Sequence, residues 1–267
     1  MQPFYSAPNV DLYQGDAIAT LKALSTPVDF CVTSPQYFQK FDYQLDGQYG
    51  LEASLDEYLQ TQVSVFHEIY RLMPNGGTAF IVLGDTQNNY SPVRSKGQRK
   101  GGNGDWHSRR KLAPGYYEKE PLCVPQKLAE ALRLDGWRHR ATLIWDKGGG
   151  SVVANSDTAP ECHEYILQMV KWSGKGRMYS NAKALSSSVL RFRPSSHPQH
   201  GCTYPLALAQ YLVEASPDGC TVLDPYVGSG TTALAAKSLG RKAIGIDLDC
   251  RWAVDRCSQL SLLEVVA

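Results

Sequence analysis

The chain has 267 residues, of which 43% are hydrophobic, and this is enough to bury a full core in one domain spanning residues 1–267. No stretch approaches the roughly 18 apolar residues of a membrane span, and the N-terminus lacks a basic region followed by an apolar one, so we expect a soluble, cytoplasmic protein without a membrane partner. The net charge of +1 neither requires nor excludes a polyanionic ligand, and the seven scattered cysteines contain no C-x-x-C pair, so no metal site is predicted.

Short apolar, β-branched runs along the chain predict buried strands of the kind found in parallel sheets. They cover residues 10–13, 28–33, 78–83, 141–145, 165–170, 221–224 and 242–247. Amphipathic segments between them predict helices at 55–72, 125–135, 205–215, 231–239 and 251–263. Ser54 and Glu57 form a capping box at the start of the first of these helices. The alternation predicts an α/β fold with a doubly wound, mixed sheet of seven strands.

Two long segments, near residues 88–118 and 148–200, are mostly without regular periodicity, and loops of that length inside a compact domain are usually functional or disordered. Residues 94–119 hold eight basic residues against two acidic ones, and residues 171–193 hold six against none. Two basic segments on an otherwise acidic chain are typical of a bound polyanion's footprint, although solvated loops have the same composition. The candidate contacts are Arg94, Lys96, Arg99, Lys100, Arg109, Arg110, Lys111, Lys147, Lys175 and Arg177.

The sequence VLDPYVGSGTT, residues 222–232, places an acid at the end of a strand and then glycines where the backbone must approach a ligand. Asp247 ends the next strand, where a carboxylate accepts hydrogen bonds from ribose hydroxyls. The loop also fits the dinucleotide fingerprint G-x-G-x-x-A or a purely structural turn, but its flanking residues favour S-adenosylmethionine, with Asp224 facing the methionine ammonium. The candidate cofactor residues are Asp224, Pro225, Gly228, Ser229, Gly230, Thr231 and Asp247.

The run TSPQY, residues 33–37, follows a predicted strand, so a hydroxyl, a proline carbonyl and an aromatic ring emerge together at the carboxyl edge of the sheet. The exocyclic amine of a base is a poor nucleophile because its lone pair is delocalised into the ring. Acceptors at Ser34 and at the Pro35 carbonyl would hold the N–H bonds of such an amine, while Tyr37 stacks on a base flipped out of a duplex. The same string is also compatible with a simple N-cap and turn.

Together these motifs resemble those of the β-class amino methyltransferases of DNA, in particular the TSPPY-bearing group, usually N4-cytosine methylases of restriction–modification systems. The similar segments, in family order, are YQGDAIATLKAL at 13–24, TSPQYFQKFDYQLDGQYGLE at 33–52, LMPNGGTAFIVLGD at 72–85, WDK at 145–147, HEYIL at 163–167, DPYVGSGTT at 224–232 and RKAIGIDLD at 241–249. This collinearity is more specific than any single motif. It implies a Rossmann-like S-adenosylmethionine-dependent methyltransferase fold with a circularly permuted motif order.

The resemblance implies methyl transfer from S-adenosylmethionine to the N4 amine of cytosine in double-stranded DNA. The implied catalytic residues are Ser34, Pro35, Tyr37 and Asp85. Asp16 is expected near the cofactor adenine, and Thr33 is a further candidate for cofactor contact. The basic segments would then read the DNA, a partner restriction endonuclease is a candidate second partner, and a monomer or homodimer is expected.

Three alternatives remain at this point: N6 methylation of adenine, a DNA-binding protein that keeps the fold without turnover, and an RNA methyltransferase, which the lack of a recognisable RNA-binding module disfavours. Carbon-5 methylation is set aside because the chain has no Pro-Cys dipeptide to supply a thiolate nucleophile. Two residues depart from the family pattern. Gln36 replaces the second proline, which removes a steric restraint on Pro35, and Phe41 stands where the family usually has Arg. We expect activity to survive both changes.

Overall fold

A computed structural model of the chain describes residues 1–88, 94–95, 112–149, 158–174, 180–194 and 204–264. The strands in these ranges are β1 (Tyr5–Ala7), β2 (Val10–Gln14), β3 (Phe30–Thr33), β4 (Phe41–Asp42), β5 (Thr78–Leu83), β6 (Arg94–Ser95), β7 (Arg138–Asp146), β8 (His163–Val170), β9 (Val189–Arg191), β10 (Thr221–Asp224) and β11 (Lys242–Asp247). The helices are α1 (Ala17–Ala23), α2 (Leu55–Leu72), α3 (Val124–Leu134), α4 (Leu206–Glu214), α5 (Thr231–Ser238) and α6 (Arg251–Glu264). None of these described helices is long and apolar enough to cross a membrane.

Nine of the strands form one mixed sheet in the order β1-β2-β11-β10-β3-β5-β8-β7-β9, and β4 pairs separately with β6. The strands from β2 to β5 in this order are parallel neighbours, whereas β8 runs antiparallel to both β5 and β7. Strand β2 pairs with β11, with Tyr13 opposite Ile246, so an N-terminal strand completes the part of the sheet that comes last in sequence. The predicted mixed α/β sheet with late cofactor strands is therefore confirmed.

The sheet is larger than the seven strands predicted, because it gains two short edge strands. β1 and β9 have three residues each, and an edge strand is paired on one side and half exposed, so it needs no continuous apolar run. β9 also lies inside the segment that was predicted to be irregular. Helix α1 was not predicted either; it has seven residues, too few for a clear helical period, and its N-cap is Asp16.

The core lies in two layers, one on each face of the sheet. Successive residues of β5 alternate between them: Ile81 and Leu83 join the layer beneath α1, α2 and α3, and Phe80 and Val82 join the layer beneath α4 and α5. Burying each such side chain contributes about 1.5–3 kcal/mol. Packing on both faces thus fixes the strands whose ends carry the sequence motifs.

The TSPQY segment and the glycine loop after β10 meet at one edge of the sheet because β3 and β10 are parallel neighbours, with Cys31 opposite Leu223. Thr33 ends β3, Asp224 ends β10, and Asp247 ends β11 on the other side of β10. The carboxyl ends of adjacent parallel strands are the edge at which open α/β sheets bind ligands.

Candidate active site

A cleft opens at the carboxyl ends of β3, β10 and β11. Its walls come from the TSPQY segment, residues 41–48, the loop after β10, and the stretch from the end of β11 to the start of α6. The lining residues are Ser34, Pro35, Gln36, Tyr37, Phe41, Tyr43, Leu45, Gln48, Tyr204, Asp224, Tyr226, Val227, Gly228, Ser229, Thr231, Asp247, Leu248, Asp249 and Trp252. The structure thus brings both predicted motifs into a single cavity.

The TSPQY segment is held from below by helix α2. Ser34, Pro35 and Tyr37 line the cleft, where the sequence predicted a site. The hydroxyl of Tyr58, a fully buried residue of α2, donates a hydrogen bond to the Gln36 carbonyl at 2.9 Å. A helix-borne hydrogen bond therefore restrains the segment at the position where the family's second proline is missing.

Asp224 is a buried acid surrounded by hydrogen-bond donors. Its Oδ1 accepts from Thr33 Oγ1 at 2.6 Å and from the Tyr226 amide at 3.1 Å, and its Oδ2 accepts from Thr232 Oγ1 at 2.7 Å. Burial raises the pKa of Asp224 to about 6, although these donors favour the charged form. Thr33 is fully buried and contacts Asp224, and its contact with a cofactor stays a prediction.

Asp247 joins the loop after β10 to the end of β11. Its Oδ2 accepts the Gly228 amide at 2.9 Å, and its Oδ1 accepts the Asp249 amide at 3.1 Å. Burial raises the pKa of Asp247. A carboxylate has about four acceptor positions, so these two amides leave capacity for a ligand in the cleft that Asp247 lines.

Within the glycine loop, Gly230 serves packing. It adopts φ +80°, and a Cβ there would lie 3.0 Å from Cα of Ala253 in α6. Gly230 thus permits the close approach of α6, and its contact with a cofactor stays a prediction. Ser229 and Thr231 do line the cleft, and Nη1 of Arg256 in α6 lies 3.3 Å and 3.0 Å from their hydroxyl oxygens. Arg256 was not predicted, because it lies outside every sequence motif.

A smaller pocket adjoins the cleft and contains Asp16 and Pro225. Gln36, Tyr226, Asp247 and Leu248 line both cavities. The Asp16 carboxylate caps α1 through the Ala19 amide at 2.8 Å and also accepts a hydrogen bond from the Tyr49 hydroxyl. Burial and this hydrogen bond raise the pKa of Tyr49. Asp16 and Pro225 therefore lie next to the cleft, and their contact with a cofactor stays a prediction.

Asp85, predicted as an acceptor near the substrate amine, caps helix α3. Its carboxylate accepts the backbone N–H groups of Thr86 at 2.8 Å, Val124 at 2.9 Å and Cys123 at 3.0 Å. Cys123 occupies the N-cap position without a side-chain cap of its own, so the acid after β5 supplies one. Asp85 is not among the described residues that line the cleft, and its catalytic role stays a prediction beside this structural one.

Lys147, predicted to contact DNA, forms an ion pair with Glu164 of β8. The same carboxylate accepts a hydrogen bond from the Tyr37 hydroxyl at 2.5 Å, and the Lys147 ammonium lies 5.1 Å from the ring centroid of Trp145. The charge of Lys147 is thus compensated by Glu164, and its contact with DNA stays a prediction.

Most other predicted DNA contacts lie outside the described residues: Lys96, Arg99, Lys100, Arg109, Arg110, Lys111, Lys175 and Arg177. Arg94 belongs to β6, which pairs in parallel with β4, and its backbone lies opposite Phe41. Because Phe41 lines the cleft, this pairing places the beginning of the first basic segment beside it. DNA contact by these residues stays a prediction.

The apolar walls of the cleft were not predicted from the sequence. Tyr43 and Leu45 form part of one wall, and Tyr204, Leu248 and Trp252 contribute to others. Aromatic and aliphatic residues are also the ordinary material of a core, so nothing in their pattern marks them as ligand contacts. For Leu248 and Trp252, closeness in sequence to Asp247 is the one available signal.

Comparison with known proteins gives the family. The model of the N6_N4_Mtase family, described as DNA methylase, matches residues 28–252. The chain belongs to this DNA methylase family. It is 31% identical to the Type II methyltransferase M.SmaI of Serratia marcescens over 254 residues, which cover 90% of this chain and 86% of that one. It is 28% identical to the Type II methyltransferase M.XycI of Xanthomonas campestris pv. cyanopsidis over 250 residues, 89% of this chain and 83% of the relative.

Solved structures share the fold of this DNA methylase. TTHA0409 of Thermus thermophilus, described as a DNA modification methylase and solved in complex with S-adenosyl-L-methionine, matches with a TM-score of 0.63 at 25% identity, over 94% of each chain. PvuII DNA methyltransferase, described as cytosine-N4-specific, matches with a TM-score of 0.69 at 15% identity, over 96% of this chain and 88% of that one. The predicted family, methyltransferase fold and S-adenosylmethionine cofactor are confirmed.

The chemistry of the cleft fits that cofactor. S-adenosylmethionine carries a sulfonium and an ammonium, and the cleft presents the buried acid Asp224 and the half-buried acid Asp247. The carboxylate of the cofactor suits the hydroxyls of Ser229 and Thr231, and its adenine suits apolar surface such as that of Leu248.

Proposed function

We propose that this DNA methylase transfers a methyl group from S-adenosylmethionine to the N4 amine of cytosine at a specific site in double-stranded DNA. The observation that carries the proposal is the position of Ser34, which directly follows β3 and lines the same cleft as Asp224 and Asp247. By resemblance to the family, a serine here favours cytosine, since adenine methylases more often carry Asp or Asn at this place.

The residues around Ser34 suit attack by an exocyclic amine. The cofactor, when bound, supplies an electrophilic methyl group on a sulfonium. Ser34 Oγ and the Pro35 carbonyl accept hydrogen bonds from the two N–H groups of the amine. This favours a pyramidal nitrogen with its lone pair directed into the cleft. Tyr37 stacks on the base flipped out of the duplex. No covalent intermediate with the protein is needed, because the amine nitrogen attacks the methyl carbon directly, and no general base is needed where the amine loses its proton only after transfer.

The remaining residues of the cleft hold the cofactor. Asp247 accepts hydrogen bonds from the ribose hydroxyls, and Asp224 compensates the methionine ammonium. The hydroxyls of Ser229 and Thr231 face the methionine carboxylate, with Arg256 behind them. The smaller pocket beside Asp16 suits one edge of the adenine.

The basic segments near residues 88–118 and 148–200 are proposed as insertions of one methyltransferase domain that contact the duplex. Supporting this, the backbone of Arg94 pairs beside Phe41 at the wall of the cleft. Lysine and arginine contacts to phosphate supply most of the affinity of such interfaces. A duplex held there would present its target base to Tyr37.

Sequencing with modification detection, applied to DNA from a host that expresses the protein, tests this proposal because it reports base, position and site together. N4-methylcytosine at one recurring short sequence is the expected result. N6-methyladenine at a recurring sequence would replace cytosine by adenine as the substrate. Unmodified DNA, with a protein that binds both cofactor and DNA, would favour a DNA-binding role without turnover.

A further inference from the structure

The Tyr37 hydroxyl contacts Glu164, and Glu164 in turn pairs with Lys147. The hydroxyl donates to Oε2 of Glu164 at 2.5 Å, and Oε1 of the same carboxylate contacts the ammonium of Lys147. The side chain of Glu164 is 12% exposed and that of Lys147 is 25% exposed. Tyr37 lines the cleft, whereas Glu164 and Lys147 are not among the described residues that do. Their contact with the cleft therefore runs through Tyr37.

The backbone around this group is anchored in the sheet. Glu164 lies in β8 opposite Trp145 of β7, and Lys147 directly follows β7. Gly84, directly after β5, packs closely against both side chains, since a Cβ there would lie 2.9 Å from Cε2 of Tyr37 and 3.4 Å from Cγ of Glu164. Three neighbouring strands therefore fix the atoms that meet the hydroxyl and the edge of the Tyr37 ring.

We propose that Glu164 is a positioning residue, which holds the Tyr37 ring in the orientation that stacks on the flipped base, and that the ion pair with Lys147 holds the Glu164 carboxylate in place. A charged acceptor makes a stronger hydrogen bond than a neutral one, and a largely buried carboxylate without a counter-charge is costly. Without this bond the phenol ring loses a restraint on its orientation, and base capture becomes slower. The inference rests on the proposed function, because it assigns Tyr37 to base stacking.

Four variants test the path through the Tyr37 hydroxyl: Tyr37→Phe, Glu164→Gln, Glu164→Ala and the double variant Tyr37→Phe/Glu164→Ala. The substrate is a duplex with the sequence that host-DNA sequencing shows to be methylated, its target base either paired or mispaired. The measurements are the single-turnover methylation rate and the affinity for S-adenosylmethionine by calorimetry. Glu130→Gln is the matched control, because it removes the carboxylate of an exposed ion pair in α3.

Tyr37→Phe and Glu164→Ala should each slow methylation of the paired duplex about 10-fold, and the double variant should be no slower than the slower single one, since both remove the same hydrogen bond. Glu164→Gln keeps an acceptor and should recover most of the rate. A mispaired target should speed the slow variants more than the wild-type protein, because unpairing is then easier. Cofactor affinity and the Glu130→Gln rate should stay unchanged.

Methylation at the wild-type rate by Tyr37→Phe, or effects that multiply in the double variant, would overturn the inference, because Glu164 would then act independently of the Tyr37 hydroxyl. Tyr37→Phe keeps the ring and changes no charge, so it decides the matter even where Glu164→Ala fails to fold. A wild-type protein that binds cofactor and DNA yet methylates no base would instead overturn the proposed function and the inference with it.

Discussion

The buried carboxyl of Asp224 is expected to make cofactor binding depend on pH. Burial raises its pKa from an ordinary 3.8 to about 6, and a cationic ligand binds the ionised form. Affinity for S-adenosylmethionine should be level above about pH 7 and fall as pH drops through 6, approaching about tenfold per pH unit, because binding then releases a proton. Calorimetry across this range measures the effect. Asp224→Asn should bind weakly with a shallower profile, to which Asp247 still contributes, and an unchanged slope would place the titrating group elsewhere.

The hydrogen bond from Tyr58 to the Gln36 carbonyl predicts an interplay between the two positions. Tyr58→Phe should lower turnover several-fold at unchanged cofactor affinity, because the segment that carries the Pro35 carbonyl loses its restraint at Gln36. A net hydrogen bond is worth about 0.5–1.5 kcal/mol. Gln36→Pro restricts the backbone of Pro35 by another route and should restore turnover in the Tyr58→Phe background. Steady-state kinetics on the four combinations decide it. Independent effects of the two substitutions would mean that they restrain different parts of the segment.

The acids at strand ends show what residue types predict. Asp224 and Asp247 end buried strands and Asp85 follows one, so their place at the carboxyl edge of the sheet was predictable. The roles of these three acids were harder to predict than their positions. Asp224 and Asp247 face the cleft, but Asp85 faces the first amides of α3, and only the tertiary packing of that helix decides this.

Helix α3 depends on a cap supplied by another element. Asp85→Ala should lower the free energy of unfolding by about 1–2 kcal/mol, because two amides at the start of α3 lose their acceptor. Urea denaturation measures this loss. Asp85→Asn keeps one acceptor oxygen and should retain most of the stability and the turnover. Loss of turnover in a fully stable Asp85→Asn protein would support the predicted catalytic role of Asp85.

The elements that the sequence predicted well are those with long patterns. Seven strands and five helices of the structure were predicted, and the capping box at Ser54 appears as its hydroxyl accepting the Glu57 amide at 3.2 Å. The missed elements β1, β4, β6, β9 and α1 are short, and their stability comes from neighbours in space. The packing of Gly230 against α6 was not predicted, because its close neighbour Ala253 is distant in sequence.

At the scale of the whole molecule, the uneven charge predicts how DNA affinity responds to salt. Neutralising Arg109, Arg110 and Lys111 should weaken DNA binding and reduce the slope of log affinity against log salt by up to about three counterions, with cofactor affinity unchanged. A salt titration of binding to a labelled duplex measures this. Neutralising Arg138 and Arg140, exposed at the start of β7, is the matched control and should leave the slope unchanged. An unaltered slope in the triple variant would mean that this segment does not touch phosphate.

Methylation of the cytosine N4 amine at Ser34 can be measured by mass spectrometry of nucleosides from DNA treated with the purified protein and S-adenosylmethionine, with Ser34→Ala as the comparison. We expect N4-methylcytosine from the wild-type protein and a yield about ten to a thousand times lower from Ser34→Ala, through a barrier higher by about 1.4–4 kcal/mol. N6-methyladenine in its place, or no methylated base from a folded wild-type protein, would contradict it.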